Sequence, residues 1–144
     1  MAKEKAPVQN TRATYTIDPQ WFDQHGRSLA TVLAGRMCYN CKTKLEDNPE
    51  ATVDDLFGSI KDCCSQAETF LEPGLPLLEA VFRLLLKEGN HPMDLDEIHS
   101  KVRDWLMANR DTRLVSPAII ERIMHSDRFY GFCRSGPEGE TEEG

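Results

Sequence analysis

The chain of 144 residues has little of what membrane proteins and most enzymes show in their sequences. Its apolar runs, such as Leu84-Leu85-Leu86, fall far short of the ~20 residues that a bilayer-spanning helix requires. Met1-Ala2-Lys3-Glu4-Lys5 carries lysines with no apolar stretch behind them, so no secretory signal is expected. A G-x-S-x-G elbow, a phosphate-binding glycine loop and a dinucleotide fingerprint are all missing, and the four histidines are scattered. No segment is strongly basic, and the net charge of −7 argues against DNA binding driven by bulk charge. These absences predict a cytoplasmic protein that is not an enzyme, with no membrane contact and no small-molecule substrate.

What is present is an ordinary globular composition, 40% hydrophobic and 28% charged, enough for one domain or two very small ones. The charge is uneven. Residues 35–72 hold four bases against eight acids, residues 73–135 balance at nine each, and residues 136–144 have four Glu and no base. The pattern divides into a disordered arm (1–15), a helical cysteine-rich region (16–72), a second helical region (75–134) and a disordered acidic tail (135–144).

Four of the five cysteines lie between Cys38 and Cys64, as Cys38-Tyr39-Asn40-Cys41 and the adjacent pair Cys63-Cys64. In a reducing compartment such clustering points to metal before disulfide. A C-x-x-C turn converges two thiolates on one ion, and a second pair can complete a tetrahedron. Adjacent residues on a helix diverge by about 100°, so Cys63 and Cys64 can share an ion only if the helix breaks there. Ser65 with Glu68 offers a cap for a new turn, while a continuous helix to Leu71 is the competing reading. The basic residues Arg36, Lys42, Lys44 and Lys61 all fall within three positions of a cysteine, placed to offset thiolate charge. Zinc on Cys38, Cys41, Cys63 and Cys64 is the first expectation, and an iron–sulfur cluster is the alternative. Buried reduced thiols and disulfide chemistry stand beside both. His25 is a surrogate ligand should one of the distal pair face away.

Cap signals place helices after Asp18-Pro19, Ser28, Thr52, Pro76, Asp94 and Ser116-Pro117. The helix after Pro76 is apolar on more than one face and should be central to the core. Lys42 to Glu50 reads as a polar loop, and Phe129 to Cys133 as a short aromatic strand. From Leu75 onward the order is helix, short link, helix, loop, helix, strand, that of a winged helix-turn-helix.

The residues Leu77 to Glu88, His91-Pro92-Met93-Asp94-Leu95-Asp96-Glu97-Ile98 and Ser126-Asp127-Arg128-Phe129 resemble the HARE-type helix-turn-helix domains, a family that includes the N-terminal domain of the bacterial RNA polymerase delta subunit. The resemblance spans about 60 residues and implies a winged-helix fold and a transcription-linked role, through DNA or through protein. The chain departs from the family pattern at Gly136-Pro137-Glu138, where a wing should follow, so a truncated wing is expected. If DNA is bound, the third helix would enter the major groove, with Arg122 and His125 on it and Arg110, Arg113, Arg128 and Arg134 around it. The expected fold is mainly α: a helical metal-binding region packed on a winged helix-turn-helix domain. The expected role is that of a transcription-associated accessory factor binding DNA or RNA polymerase. An iron–sulfur redox-sensing regulator and a protein–protein adaptor without nucleic-acid contact are the alternatives.

Overall fold

A computed structural model describes residues 13–136. Among these residues the chain is mainly α-helical, with seven α-helices and a three-stranded antiparallel sheet. The order is β1 (Thr14–Ile17), α1 (Pro19–Gln24), α2 (Leu29–Ala34), α3 (Tyr39–Glu46), α4 (Val53–Asp62), two 3-10 turns (Cys64–Gln66 and Glu68–Leu71), α5 (Leu77–Lys87), β2 (Met93–Asp94), α6 (Leu95–Ala108), α7 (Pro117–Ser126) and β3 (Phe132–Ser135). No helix among the described residues is long and apolar enough to cross a membrane.

The helix starts lie where the cap residues place them. Asp18, Ser28, Thr52, Asp94 and Ser116 each accept a backbone N–H of the helix they open. Thr52 and Asp94 form reciprocal capping boxes with Asp55 and Glu97. Helix α5 buries Ala80, Val81, Phe82, Leu84, Leu85 and Leu86, so water reaches little of any face. Helices α4 and α6 lean their apolar stripes against it, and α7 packs on α6 through Ile120 and Met124. One apolar cluster runs from Tyr15 and Phe22 through Leu56 and Ile60 to Trp105 and Ile120.

The N-terminal boundary differs from the sequence reading. Thr14 and Tyr15, assigned by polarity to the arm, belong to the central strand of the sheet, whose order is β2-β1-β3. Tyr15 faces Met93 across one ladder and Arg134 across the other, and is 2% exposed. Alternation over four residues, Thr14 and Thr16 outward with Tyr15 and Ile17 inward, was too short to register as a strand signal. The rest of the arm (1–12) and most of the tail (137–144) lie outside the described residues.

Two further expectations shift. The aromatic strand begins at Phe132 rather than Phe129, because the Asp127 carboxylate accepts the N–H groups of Phe129, Tyr130 and Gly131 and curls that segment into a turn. Gly131, at φ 70°, lies so close to the Phe22 ring that a Cβ would stand 2.6 Å from it. The stretch after Cys41 is helical to Glu46, not loop. It buries only Cys41, so its apolar periodicity is too weak to be read from sequence.

The halves of the chain meet at Glu79 on α5. Its carboxylate accepts hydrogen bonds from Arg36 (2.8 and 3.0 Å), Arg83 (2.7 Å) and the Tyr130 hydroxyl (2.8 Å). Burial alone would push this carboxyl up, but Arg36, Arg83 and Tyr130 more than offset it and hold it at about 2, against an ordinary 4.5. Because the folded value is depressed, the stabilisation is complete above the unfolded-state value and is lost as pH falls from there through about 2. Glu79→Gln should therefore cost about 3 kcal/mol in urea unfolding at neutral pH, since it leaves two guanidinium groups without their carboxylate. The gap between variant and wild type should hold down to about pH 4.5 and close below it; a gap independent of pH would refute the assignment.

Candidate metal centre

Helix α4 ends at Asp62. Cys63 caps it with φ −128° and ψ −62°, and the chain tightens into the 3-10 turn Cys64–Gln66. The break that a shared site requires is present. It is not made by a Ser65–Glu68 capping box, as the spacing suggested: the Ser65 hydroxyl donates back to the Lys61 carbonyl (2.8 Å), and Ala67 stands at the N-cap of the next turn. The change of backbone direction at Cys63 turns two adjacent side chains toward the same place, which an unbroken helix would forbid.

Facing them is the Cys38–Cys41 knuckle at the start of α3. The sulfurs of Cys38, Cys41 and Cys63 all lie within 4.8 Å of one another. Cys38 Sγ is 3.8 Å from Cys63 Sγ and 3.6 Å from Cys64 Sγ, and the Cys38 N–H donates to Cys64 Sγ at 3.2 Å. Cys64 stands outside the three-sulfur group but in contact with it. A tetrahedral ion with metal–sulfur bonds of about 2.3 Å separates its sulfurs by about 3.8 Å, which the Cys38–Cys63 and Cys38–Cys64 distances match closely. A disulfide would need about 2.0 Å, and all five cysteines are free thiols. Buried apolar packing alone does not account for Cys63, which is exposed.

The thiols also press on one another electrically. The Cys41 N–H, in the first turn of α3, draws the Cys38 thiol down to about 7, although it closes no full capping bond. Burial pushes Cys41 up to about 11, and hydrogen bonding to Cys41 and Cys38 raises Cys63 to about 11. Burial likewise raises Cys64. Four sulfurs this close resist carrying charge together unless a cation sits among them, which is the environment a divalent ion exploits when it displaces thiol protons.

The flanking bases play less part than their spacing suggested. Arg36 is committed to Glu79, and the Lys61 stem lies along Gly89, so neither is aimed at the sulfurs. Lys42 and Lys44 remain, exposed on α3. His25 is not a ligand surrogate: its Nδ1 meets the Trp21 carbonyl at 2.8 Å and its ring stacks on Trp21 at 4.2 Å. Sequence reasoning placed Leu56 on the face of Cys63 and Cys64 but missed Met37 and Leu45, which with it line a groove beside Cys41 and Cys63, because the stretch around Cys41 did not read as a helix.

The predicted nucleic-acid residues divide. Arg122 and His125 are exposed on α7, and Arg128 is exposed just beyond it. Arg110 is exposed, with φ 55°, after α6. Arg113 grips Asp111 at 2.8 Å and lies over the Trp105 ring, and Arg134 pairs with Glu121 at 3.9 Å. His125, Arg128 and Arg134 border one depression of about 280 Å³ together with Trp21 from α1, a neighbour no local pattern could supply.

No family model matches the chain, nor does any curated protein or solved structure. The reading of the site rests on its geometry.

In the reduced, metal-free chain Cys38 should carry the reactive thiolate between about pH 7 and 9, while Cys63 stays protonated although it is more exposed. Iodoacetamide labelling followed by peptide mass mapping should find Cys38 modified first. Faster labelling of Cys63 would show that exposure and not charge governs the cluster.

Proposed function

We propose that this is a binding protein: a winged helix-turn-helix module fastened to its N-terminal half by a structural zinc ion on Cys38, Cys41, Cys63 and Cys64. The observation that carries this reading is the spacing of the sulfurs, 3.6 and 3.8 Å from Cys38, which suits the edge of a single tetrahedral ion. An iron–sulfur cluster holds its thiolates on separate irons or in pairs, and asks for a wider spread. Zinc would tie α3 to the α4 terminus and hold a part of the chain that buries little apolar surface of its own.

The winged-helix reading is supported by the order α5, β2, α6, α7, β3 and by the resemblance to HARE-type domains. Beside the truncated wing expected from the acidic turn at Gly136-Pro137-Glu138, β1 pairs with both β2 and β3 and occupies the middle of the sheet. The role is a transcription-associated accessory factor. A protein surface, with RNA polymerase the expected class, suits it better than bare duplex DNA. Two of the six predicted contacts are held in internal ion pairs, and the exposed face of α7 offers only Arg122 and His125.

Elemental analysis with an absorption spectrum of anaerobically purified protein should find one zinc per chain and no visible bands; a brown, iron-bearing protein would replace this reading with the cluster. Cys41→Ser and Cys63→Ser should each release the ion and lower the melting temperature. If both keep a full complement of metal, the ligand set is wrong. The triple substitution of Arg122, Arg128 and Arg110 by Ala should leave stability within about 0.5 kcal/mol while weakening partner binding. Salt-sensitive binding to duplex DNA that disappears in that variant would favour the DNA reading over the protein one.

A further inference from the structure

We propose that the groove between α3 and α4 docks a basic segment of a protein partner, one that inserts an aliphatic side chain beside the cysteines. The groove has a volume of about 330 Å³; Met37, Leu45, Ala51 and Leu56 supply its apolar lining, and Cys41 and Cys63 border it. That volume lies at the small end of the range for ligand sites and suits one or two side chains rather than a cofactor. Helix α3 forms one wall and buries only Cys41, with Leu45 half-buried, so it stands off from α4 and leaves the space open.

Gly58 gives the second observation. It lies in the interior of α4 and lines the groove, and a Cβ built on it meets nothing within 4 Å. Its φ is not positive, so the backbone does not ask for glycine, and no neighbour in the chain crowds it. Glycine is the weakest helix former after proline. A helix that keeps it where neither conformation nor internal packing requires it is suited to the close approach of another chain.

Charge selects that chain. Asp55 and Asp62 line the groove against Lys44 alone, and residues 35–72 carry eight acids to four bases. One of those bases, Arg36, is taken up by Glu79. The surplus of negative charge steers a lysine- or arginine-bearing segment toward the groove and disfavours an acidic one. Recognition of this kind, with an apolar anchor in a groove and charges at the rim, is a common mode of peptide binding. The proposal rests on the metal reading in one respect: an ion on Cys41 and Cys63 would fix the α3 wall relative to α4.

The test is amide chemical-shift titration of the full-length chain, after metal content has been measured on the same sample. The probe is a synthetic peptide of about twelve residues with Leu at helical spacing and Lys elsewhere, compared with peptides in which Glu replaces Lys or Ser replaces Leu. Shifts centred on Leu45, Gly58 and Ser59 with the Lys–Leu peptide alone are the expected result. Gly58→Leu, which fills the groove with a better helix former, should weaken binding about tenfold or more without lowering the melting temperature. Equal shifts with the Glu peptide, shifts spread over other surfaces, or binding indifferent to Gly58→Leu would each overturn the proposal. A chain that proves metal-free refutes the zinc reading by its metal content alone; the groove is then judged by the same titration on that chain.

Discussion

Glu79 is a carboxylate on the most buried helix among the described residues, and three hydrogen-bonding side chains from three parts of the chain converge on it. Arg36 arrives from the turn before the Cys38 knuckle, Arg83 from the next turn of α5, and Tyr130 from the segment leading into β3. A charge placed there is tolerable only because all three partners are present. The dependence runs both ways. Arg36 also lies over the Phe82 ring, and Arg83 reaches the Phe70 carbonyl, so the same ion group fixes the approach to the cysteines and the 3-10 turns that follow them. The apolar core sets how closely the helices pack, while Glu79 sets which parts of the two halves face each other.

The cysteine cluster is built on this frame by local chain geometry. Cys38 stands two residues after Arg36, and Cys63 and Cys64 follow directly on a helix whose Leu56, Phe57 and Ile60 are in the core. Neither pair would be aimed by its own element alone, because α3 is short and poorly buried and α4 stops at Asp62. Their meeting is a product of where the larger packing leaves two chain ends. It also explains the division between a buried Cys41 and Cys64 and an exposed Cys63: the cluster lies at the edge of the core, with one side toward water.

Much of this was legible in the sequence where a residue acts on its immediate neighbours. Asp18, Ser28, Thr52, Asp94 and Ser116 each cap the helix they precede, and the apolar density of Leu77–Leu86 marks α5 as central, because capping and amphipathic burial are short-range effects. The four cysteines were visible as a set for the same reason. What escaped depends on distant partners. Arg36 seemed placed for the thiolates until Glu79, 43 positions on, claimed it. Ser65 had the spacing of a cap, yet the free Lys61 carbonyl at the end of α4 was the better partner. The strand at Thr14–Ile17 exists only because Met93 and Phe132 lie on either side of it, and no propensity of four residues can announce that.

The central place of β1 has a consequence for how the protein comes into being. Thr14 pairs with Ser135, so the first described strand must wait for almost the last before its second ladder can close. Contacts so far apart in sequence are costly to form early, and they slow the final step of folding while the helices assemble quickly around α5. During synthesis one side of β1 stays unpaired until the ribosome has released residues 132–135. The three helices α5, α6 and α7 would already be in contact by then, and the arrival of β3 would lock β1 in place.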